Sequence, residues 1–264
     1  MDLQLAGKTT FISGSTAGIG LAIARRLAEE GATVVVNGRT QARVDATLAA
    51  IRKAVPTARL DGVAADLGNA AGAQAAVRAV PQVDVLVNNL GIFAAQPFEA
   101  ITDADWLHFF ETNVLSGVRL ARAWLPGMKA RNWGRILFIS SESALNIPAE
   151  MVHYGVTKTA QLAVARGLAE SLAGTGITVN SILPGPTASE GVTRFVGELA
   201  RQRGLTFAAM EQDFFKTARP SSLLHRFIQP EEVANLVAYV ASPLSSATNG
   251  AALRVDGGVV RTIA

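Results

Sequence analysis

The chain has 264 residues, enough for one large α/β domain, and its 49% hydrophobic and 17% charged residues exclude extended disorder. Lys and Arg outnumber Asp and Glu by only 24 to 21 and do not cluster, which argues against nucleic-acid binding. The absence of cysteine excludes disulfides, thiolate metal sites and cysteine nucleophiles. The start lacks a signal-peptide pattern, and Arg166 and Glu170 interrupt the most apolar helical run, so we expect a cytoplasmic protein that does not bind membranes.

Short runs rich in Val and Ile alternate along the chain with longer helical patterns. We predict strands at 9–13, 33–37, 59–64, 83–87, 135–140, 178–182 and 252–255, and helices at 19–30, 41–54, 70–79, 103–129, 152–173 and 230–241. Strands that are apolar at nearly every residue are typical of a parallel sheet covered on both faces. Right-handed crossovers would connect them into one doubly wound α/β domain over residues 1–264.

The segment from Pro184 to Gln229 interrupts this alternation. It contains the aromatic residues Phe195, Phe207, Phe214, Phe215 and Phe227. One interpretation is an extra pair of helices that packs its aromatic side chains into the core. The other is a substrate lid at 186–228, because long insertions beyond strand ends often cover active sites. The two interpretations are compatible.

A glycine-rich turn follows the first predicted strand directly. It comprises Gly14, Ser15, Thr16, Ala17, Gly18, Ile19 and Gly20, after which a helix begins. Glycines there allow a tight bend and the close approach of a pyrophosphate, and a helix N-terminus favours negative charge. The spacing Gly-x-x-x-Gly-x-Gly differs from the usual Gly-x-Gly-x-x-Gly fingerprint. We interpret the segment as a cofactor loop, and a glycine turn required only by sterics is the alternative.

The end of the second predicted strand reads Val36-Asn37-Gly38-Arg39 and contains no carboxylate. A carboxylate there would bind the ribose 2′-hydroxyl of NAD and would repel the 2′-phosphate of NADP. A guanidinium can hold that phosphate with a bidentate contact. We therefore predict that Arg39 binds it and that NADP(H) is preferred. If Arg39 is only a solvated residue at the start of the next helix, NAD(H) remains the alternative.

Three polar residues form the candidate catalytic set. Ser141 follows the fifth predicted strand, where a parallel sheet presents its carboxyl edge to a ligand, and Tyr154 and Lys158 lie four residues apart on one helix face. A phenol with a pKa near 10 is a poor acid catalyst at neutral pH, and we expect the Lys158 ammonium to lower that pKa. Ser141 can donate a hydrogen bond to a substrate carbonyl, and a nicotinamide cofactor would supply the hydride.

The chain resembles the short-chain dehydrogenase/reductase family over nearly its whole length. The motifs that carry the resemblance are Gly14 to Gly20, Asn88-Asn89-Leu90-Gly91, Asn113, Tyr154-Gly155-Val156-Thr157-Lys158, Pro184-Gly185 and Asp256-Gly257-Gly258. The resemblance implies a Rossmann-like sheet of seven parallel strands with helices on both faces, assembled as a homotetramer, with a homodimer as the alternative. Leu90 replaces the small residue common at its position, which we expect to reshape the wall beside the cofactor.

The resemblance also implies residue roles. Asn113 joins Ser141, Tyr154 and Lys158 in the catalytic set, where it would position a water that links Lys158 to bulk solvent. Lys158 would also hold the nicotinamide ribose. Ser141 is chosen over Ser140 because it has the family's spacing to Tyr154. The implied cofactor-binding residues, besides the glycines of the turn, Tyr154 and Lys158, are Ser15, Thr16, Ile19, Arg39, Asp66 and Leu67 at the adenine pocket, Asn88, Gly91, Pro184, Gly185, and Thr187 near the carboxamide.

Several other polar and aromatic residues receive no catalytic role. His108, His153 and His225 lack metal-ligand spacing, so we predict no metal site. We interpret His153 as a lid or interface contact, with contact to the substrate as the alternative. For Glu142 and Glu150 a solvated loop carboxylate is the favoured interpretation, with recognition of a substrate amine or hydroxyl as the alternative. Trp106, Phe109 and Phe110 fit a subunit interface and ordinary core packing equally well.

The sequence as a whole predicts an NADP(H)-dependent carbonyl reductase or alcohol dehydrogenase, with 3-oxoacyl thioesters as the specific substrate hypothesis. One rival is a cofactor-binding sensor that keeps the fold without turnover. The other is a lyase or epimerase on the same scaffold, which would show no net change in the redox state of the cofactor. The identity of the substrate is not encoded in any motif.

Overall fold

The computed structural model describes residues 1–263, apart from the side chains of Phe195 and Leu199. All seven strands are parallel and form one sheet in the order β3-β2-β1-β4-β5-β6-β7. The strands are β1 Thr9–Ile12, β2 Thr33–Gly38, β3 Arg59–Ala64, β4 Val85–Asn88, β5 Gly134–Ile139, β6 Ile177–Pro184 and β7 Ala252–Val255. The predicted doubly wound sheet is therefore confirmed.

Nine α-helices are present in residues 1–263. They are α1 Gly18–Glu29, α2 Gln41–Ala54, α3 Ala70–Ala79, α4 Asp103–Phe110, α5 Ser116–Ala130, α6 Val152–Ser171, α7 Glu190–Gln202, α8 Phe207–Thr217 and α9 Pro230–Ala241. Helices α1, α2 and α9 cover one face of the sheet, where Ile23, Val44 and Val237 share a core cluster. Helices α3, α5 and α6 cover the other face around Phe11 and Trp124. No helix of this described part combines the length and apolar character that a membrane span needs.

The burial of each strand follows from its place in the sheet. Every residue of the inner strands β5 and β6 is buried, as both faces of these strands carry helices. The edge strand β3 keeps only Val63 fully buried, which explains why it also carries the polar residues Arg59 and Asp61. The apolar runs that predicted the strands thus reflect two-sided coverage.

The predicted continuous helix at 103–129 is wrong in one respect, because a π-helical turn at Glu111–Leu115 divides it into α4 and α5. Thr102 and Asp105 form a capping box that begins α4. A π-helical turn widens the helix locally and is frequent at functional sites. It carries Asn113, one of the residues that the resemblance implies in catalysis. The strand β6 also runs further than predicted and includes Pro184.

The segment 186–228 forms the predicted helical pair, α7 and α8. The interpretation that its aromatic side chains pack into the main core is wrong. They form a separate cluster, because the helical pair extends beyond the strand ends. The buried members are Val196, Ala200, Met210, Phe215 and Phe227. Phe214 stacks on Phe227 with 5.2 Å between the ring centroids. The side chain of Phe195, which belongs to the same prediction, lies outside the described residues.

Candidate active site

The predicted site residues gather at the carboxyl edge of the sheet. Gly14 follows β1, Arg39 follows β2, Gly91 follows β4 and Ser141 follows β5. The strand order reverses between β1 and β4, since the chain first builds β2 and β3 on one side and then crosses to the other. Such a switch point opens a crevice at the ends of parallel strands, where ligands of open α/β sheets bind.

The glycine turn has the backbone that phosphate binding requires. Gly14 and Gly18 adopt positive φ angles of 62° and 54°, a region that favours glycine. A Cβ atom on Gly20 would lie 2.5 Å from the Gly14 carbonyl oxygen, so only glycine allows this close approach. Ala17 precedes α1 without a side-chain cap, which leaves the first turn of the helix open to an anion.

Ser15 and Asn37 hold the ends of the first three strands together. The Ser15 hydroxyl donates to the Ile12 carbonyl at 2.8 Å and accepts from the Asn37 N–H at 2.9 Å. The Asn37 amide donates to the carbonyls of Val63 and Ala65, both at 3.1 Å, and accepts from the backbone of the glycine turn. The end of β2 therefore carries a neutral amide whose hydrogen bonds are all made within the protein. An NAD-binding carboxylate would stand at this strand end.

The side chains of Thr16 and Arg39 flank the end of β2. Arg39 is exposed and makes no ion pair with any carboxylate of the described chain. Thr16 is partly buried against Gly38, where an added Cβ would come 2.5 Å from its methyl group. The guanidinium and the hydroxyl are both accessible to a phosphate at this place.

The segment after β4 connects the glycine turn to the catalytic helix. The Asn89 amide donates to the carbonyls of Ser13 and Gly14 at 3.0 and 2.9 Å. Asn88 is buried, and its side-chain amide has no hydrogen-bond partner within the described residues. A Cβ on Gly91 would lie 3.3 Å from Lys158 Nζ. The Leu90 N–H donates to the Ser13 hydroxyl at 2.9 Å, a backbone contact that does not depend on the leucine side chain.

Asp66 and Leu67 differ in their access to a ligand. Asp66 is exposed at the end of β3, and its carboxylate accepts from the Gly68 N–H at 3.1 Å. Leu67 is almost fully buried in the core cluster of α3 and α5. Its side chain therefore packs inside the protein, and the assignment of Leu67 to the adenine pocket stays a prediction.

Ser141 and Tyr154 are brought together as predicted. Ser141 lies close enough to the Tyr154 phenol to lower its pKa, and the Ser141 hydroxyl accepts from the Ser143 N–H at 3.1 Å. The neighbouring Ser140 donates its hydroxyl hydrogen to the Lys158 carbonyl at 2.8 Å and so braces α6. Of the two serines, Ser141 alone contacts the phenol.

The expected lowering of the Tyr154 pKa by Lys158 is not found. Burial raises the pKa of Tyr154 to about 12, although the Ser141 side chain opposes this rise. Burial also lowers the pKa of Lys158 to about 8. Lys158 Nζ lies 5.6 Å from the centroid of the Tyr154 ring and donates to the Ile139 carbonyl at 2.9 Å. Desolvation, which disfavours both charged forms, outweighs their attraction here.

Asn113 is fixed by three hydrogen bonds of its side chain. Its amide oxygen accepts from the Ile92 N–H at 2.8 Å, and its nitrogen donates to the Ile92 carbonyl at 3.0 Å and to the Thr157 hydroxyl at 2.9 Å. Its backbone carbonyl accepts from the side chain of Gln161 at 2.5 Å. Sequence analysis missed Gln161, whose only signal is its position three residues after Lys158 on the catalytic helix.

Glu142 is buried, and the expectation of a solvated carboxylate is wrong for it. It is only 3% exposed, and one carboxylate oxygen pairs with Nε of Arg219 at 3.0 Å. Arg219 follows α8 and comes from the segment predicted as a lid. Both groups influence the Tyr154 phenol, since Glu142 raises its pKa and Arg219 lowers it. Glu150 is exposed, as expected.

His153 is a core residue and not a lid or interface contact. It is fully buried between α4 and α6, and its ring centroid lies 4.0 Å from that of Phe109. Burial lowers its pKa and so favours the neutral ring. Residues 1–263 contain no group of three His, Asp or Glu side chains arranged to hold a metal ion.

The end of β6 leads into the helical pair through a rigid connection. Gly185 packs so closely that an added Cβ would lie 2.5 Å from the Asp256 carbonyl oxygen. The buried Thr187 donates its hydroxyl hydrogen to the Gly185 carbonyl at 2.8 Å and forms an isolated parallel bridge with Ile228. The two ends of the segment 186–228 are therefore held together beside the crevice.

Comparisons with known proteins agree with this geometry. A family model described as enoyl-(acyl carrier protein) reductase matches residues 14–260. YvaG of Bacillus subtilis, an uncharacterized oxidoreductase, is 48% identical over 263 residues, which cover 100% of both chains. D-beta-hydroxybutyrate dehydrogenase of Cupriavidus necator is 32% identical and matches 97% of this chain and 99% of its own. The structure of L-sorbose reductase from Gluconobacter frateurii, complexed with NADPH and L-sorbose, has a TM-score of 0.94 at 32% identity, and the match covers 100% of both chains.

These matches extend from the glycine turn to the turn after β7. They therefore include the cofactor half of the sheet as well as the half that carries Ser141, Tyr154 and Lys158. The chain belongs to the short-chain dehydrogenase/reductase family of nicotinamide-dependent oxidoreductases that act on alcohol and carbonyl groups.

Proposed function

We propose that the protein is an NADP(H)-dependent carbonyl reductase, reversible as an alcohol dehydrogenase, in which Tyr154 exchanges the proton. The observation that carries this proposal is the position of Ser141 beside Tyr154 at the carboxyl edge of the sheet, with Lys158 buried behind them. Two hydroxyl groups on one side of a crevice can bind the same carbonyl oxygen. This arrangement stabilises the negative charge that develops there when a hydride adds to the carbon.

The crevice fits a nicotinamide dinucleotide on two observations. The open first turn of α1 after Gly14 suits the pyrophosphate, and Gly91 leaves room beside Lys158, where an added Cβ would lie 3.3 Å from Nζ. We assign the 2′-phosphate of NADP(H) to Arg39, because Asn37 is engaged and no carboxylate stands at that strand end. When bound, the cofactor supplies or accepts the hydride. The NADPH bound to L-sorbose reductase supports the same preference.

The side chains of this chain divide the remaining work. Ser141 donates a hydrogen bond that orients the substrate carbonyl, and Tyr154 gives its proton to the carbonyl oxygen in the reductive direction. Lys158 can exchange a proton next to the phenol. Its pKa is lowered to about 8, so near neutral pH most of the side chain is the ammonium and a smaller fraction is the neutral amine. Asn113 fixes the loop after Gly91 through its bonds with Ile92. The segment 186–228 is proposed as the lid that excludes water.

Two substrate classes are the candidates. A 3-oxoacyl thioester is the sequence-based hypothesis, and the similarity to the 3-oxoacyl-[acyl-carrier-protein] reductase of Aquifex aeolicus, 31% identical over 263 residues, supports it. A hydroxylated ketone is favoured by a different observation. Oε2 of Glu142 is buried near Tyr154 without a hydrogen-bond partner in the described chain, and a substrate hydroxyl could donate to it once the lid opens. L-sorbose, bound to the structurally similar reductase, is such a ketone.

The direct test follows NADPH absorbance while 3-oxoacyl thioesters, ketoses, quinones and simple ketones are offered. We expect oxidation with at least one class, and the variant Tyr154→Phe should lose it by about three orders of magnitude while NADPH binding is kept. Full activity of Tyr154→Phe would refute the role of the phenol. Tight NADPH binding without turnover on the whole panel would favour the sensor or lyase alternatives.

We also propose that copies of the chain assemble, as a homotetramer by the resemblance. Leu107 and Phe110 support an interface on α4, because they are 71% and 41% exposed on a helix that otherwise packs against α6. Light scattering of the purified protein measures the assembly state. A monomer at micromolar concentration would refute the proposal. The cytoplasmic location stays a prediction.

A further inference from the structure

One buried glutamine connects two residues of the candidate catalytic set. Gln161 lies one turn after Lys158 on α6 and is 1% exposed. Its Nε2 donates to the backbone carbonyl of Asn113 at 2.5 Å, and its Oε1 accepts from Lys158 Nζ at 3.4 Å. A single side chain therefore joins the π-helical turn to the ammonium group.

The amide of Gln161 directly joins two residues that the family resemblance connects through a water. By that resemblance, Asn113 would position a water that links Lys158 to bulk solvent. An amide presents the same pair of groups, a donor towards Asn113 and an acceptor towards Lys158, but in a fixed orientation. Unlike a water, it neither takes up nor gives up a proton near neutral pH. The contact is thus a structural link and not a proton carrier.

The surroundings of Lys158 show what this link achieves. An ammonium has three N–H donors, and two of them are held by Ile139 and Gln161, so one remains for the crevice. The other nearby groups, the Asn113 amide and the Gly91 backbone, are neutral. Tyr154 is the titratable group that faces Lys158. The pair formed by Glu142, from the turn after β5, and Arg219, from the lid segment, acts on the phenol of Tyr154, whereas the pKa of Lys158 is lowered by burial.

We propose that Gln161 is a positioning residue that aims the Lys158 ammonium at Tyr154 and favours its protonated form. The kinetic part of this inference rests on the proposed function. The structural part does not, because both contacts exist in the cofactor-free chain. Gln161 touches neither the crevice nor a ligand, so its effect on the reaction would pass through Lys158.

The decisive experiment titrates Lys158 in the cofactor-free protein. The chain has five lysines, Lys8, Lys53, Lys129, Lys158 and Lys216, so the side-chain signal of Lys158 can be assigned in NMR spectra with Lys158→Met. Gln161→Leu should lower the titration midpoint by about one pH unit, since a hydrogen bond to the charged form is lost. Gln161→Glu should raise it, because a carboxylate then faces the ammonium. An unchanged midpoint in Gln161→Leu would overturn the inference.

A matched control separates this effect from loss of stability. Ala165→Gly lies one further turn along the same face of α6, is buried, and weakens the helix without touching Lys158. It should lower the melting temperature and leave the titration midpoint unchanged. A midpoint that moves equally in Ala165→Gly and Gln161→Leu would mean that Gln161 is merely structural.

The kinetic arm uses whichever carbonyl compound of the panel is turned over with NADPH. Gln161→Leu should reduce kcat about tenfold with little change in KM for the carbonyl compound, and its alkaline limb should move to lower pH together with the NMR midpoint. A normal kcat and pH profile would overturn the role in catalysis. If no compound is turned over, the proposed function fails, whereas the NMR titration still decides the inference about Gln161.

Discussion

Nε of Arg219 lies 3.0 Å from a carboxylate oxygen of Glu142, and both side chains are buried next to Tyr154. Arg219 belongs to the proposed lid and Glu142 follows Ser141 directly, so one ion pair fixes the lid to the catalytic loop. The second carboxylate oxygen of Glu142 has no hydrogen-bond partner in the described chain. A buried charge of this kind is tolerated only while its counter-ion stays in place.

The first prediction concerns the stability that depends on this pair. Arg219→Leu should reduce the free energy of unfolding by about 3–5 kcal/mol, because it leaves the Glu142 carboxylate buried and uncompensated. The double variant Glu142→Leu/Arg219→Leu should recover most of the loss, since no charge remains. Urea denaturation of the single and double variants measures the difference. Equal destabilisation in both would contradict a role for the charge.

The second prediction is the pH dependence of the same pair. Burial raises the pKa of Glu142 above its ordinary value near 4.5, so the folded chain binds this proton more tightly than the unfolded chain. Its contribution to stability is therefore complete below about pH 4.5 and is lost as the pH rises through the folded value. In Arg219→Leu the free energy of unfolding should fall more steeply towards neutral pH than in the parent protein. Glu142→Gln/Arg219→Leu, which cannot ionise at this position, should show no such slope in urea denaturation.

The third prediction concerns the choice of cofactor. Arg39→Ala should weaken NADPH binding about tenfold, since a charge-assisted hydrogen bond to the phosphate is lost, and should leave NADH binding unchanged. Arg52→Ala, at the far end of α2, is the matched control and should change neither affinity. Fluorescence titration with both cofactors measures these affinities. Equal weakening of NADPH and NADH in Arg39→Ala would remove Arg39 from the phosphate site.

The fourth prediction is the alkaline limb of the reductive reaction. The pKa of Lys158 is about 8 and that of Tyr154 about 12, so Lys158 is the group that loses its proton first as the pH rises. The rate of NADPH oxidation should therefore fall above about pH 8. In Lys158→Arg the charge persists at all accessible pH values, so the limb should disappear while the maximal rate is lower. If the rate still falls at the same pH in Lys158→Arg, another group causes the decrease.

The fifth prediction compares two glycines of the crevice. Gly185→Ala would place a Cβ atom 2.5 Å from the backbone oxygen of Asp256, which cannot yield, so the free energy of unfolding should fall by about 2–3 kcal/mol. In Gly91→Ala the nearest atom is the flexible end of Lys158 at 3.3 Å. Stability should then change little, whereas activity should decrease severalfold because the ammonium is displaced. Thermal unfolding and NADPH oxidation distinguish the two outcomes.

Much of the fold could be predicted because it depends on local patterns. The inner strands β5 and β6 are buried on both faces, and this two-sided burial appears in the sequence as short apolar runs between helical periods. The glycine turn is equally local, since the positive φ angles of Gly14 and Gly18 demand that residue type. The π-helical turn at Glu111–Leu115 has no comparable signal, because the helical pattern continues through it.

The sequence by itself determined the order of the strands along the chain, the place of the cofactor turn and the spacing of Ser141, Tyr154 and Lys158. Only the tertiary structure decided the burial, the partners and the pKa values of the polar residues around them. Glu142 meets Arg219 across 77 positions, and Gln161 meets Asn113 across 48. Burial of Lys158 in the folded chain also lowers its pKa. Burial and pairing of a polar group depend on partners that are distant in sequence, and no local period or turn records them.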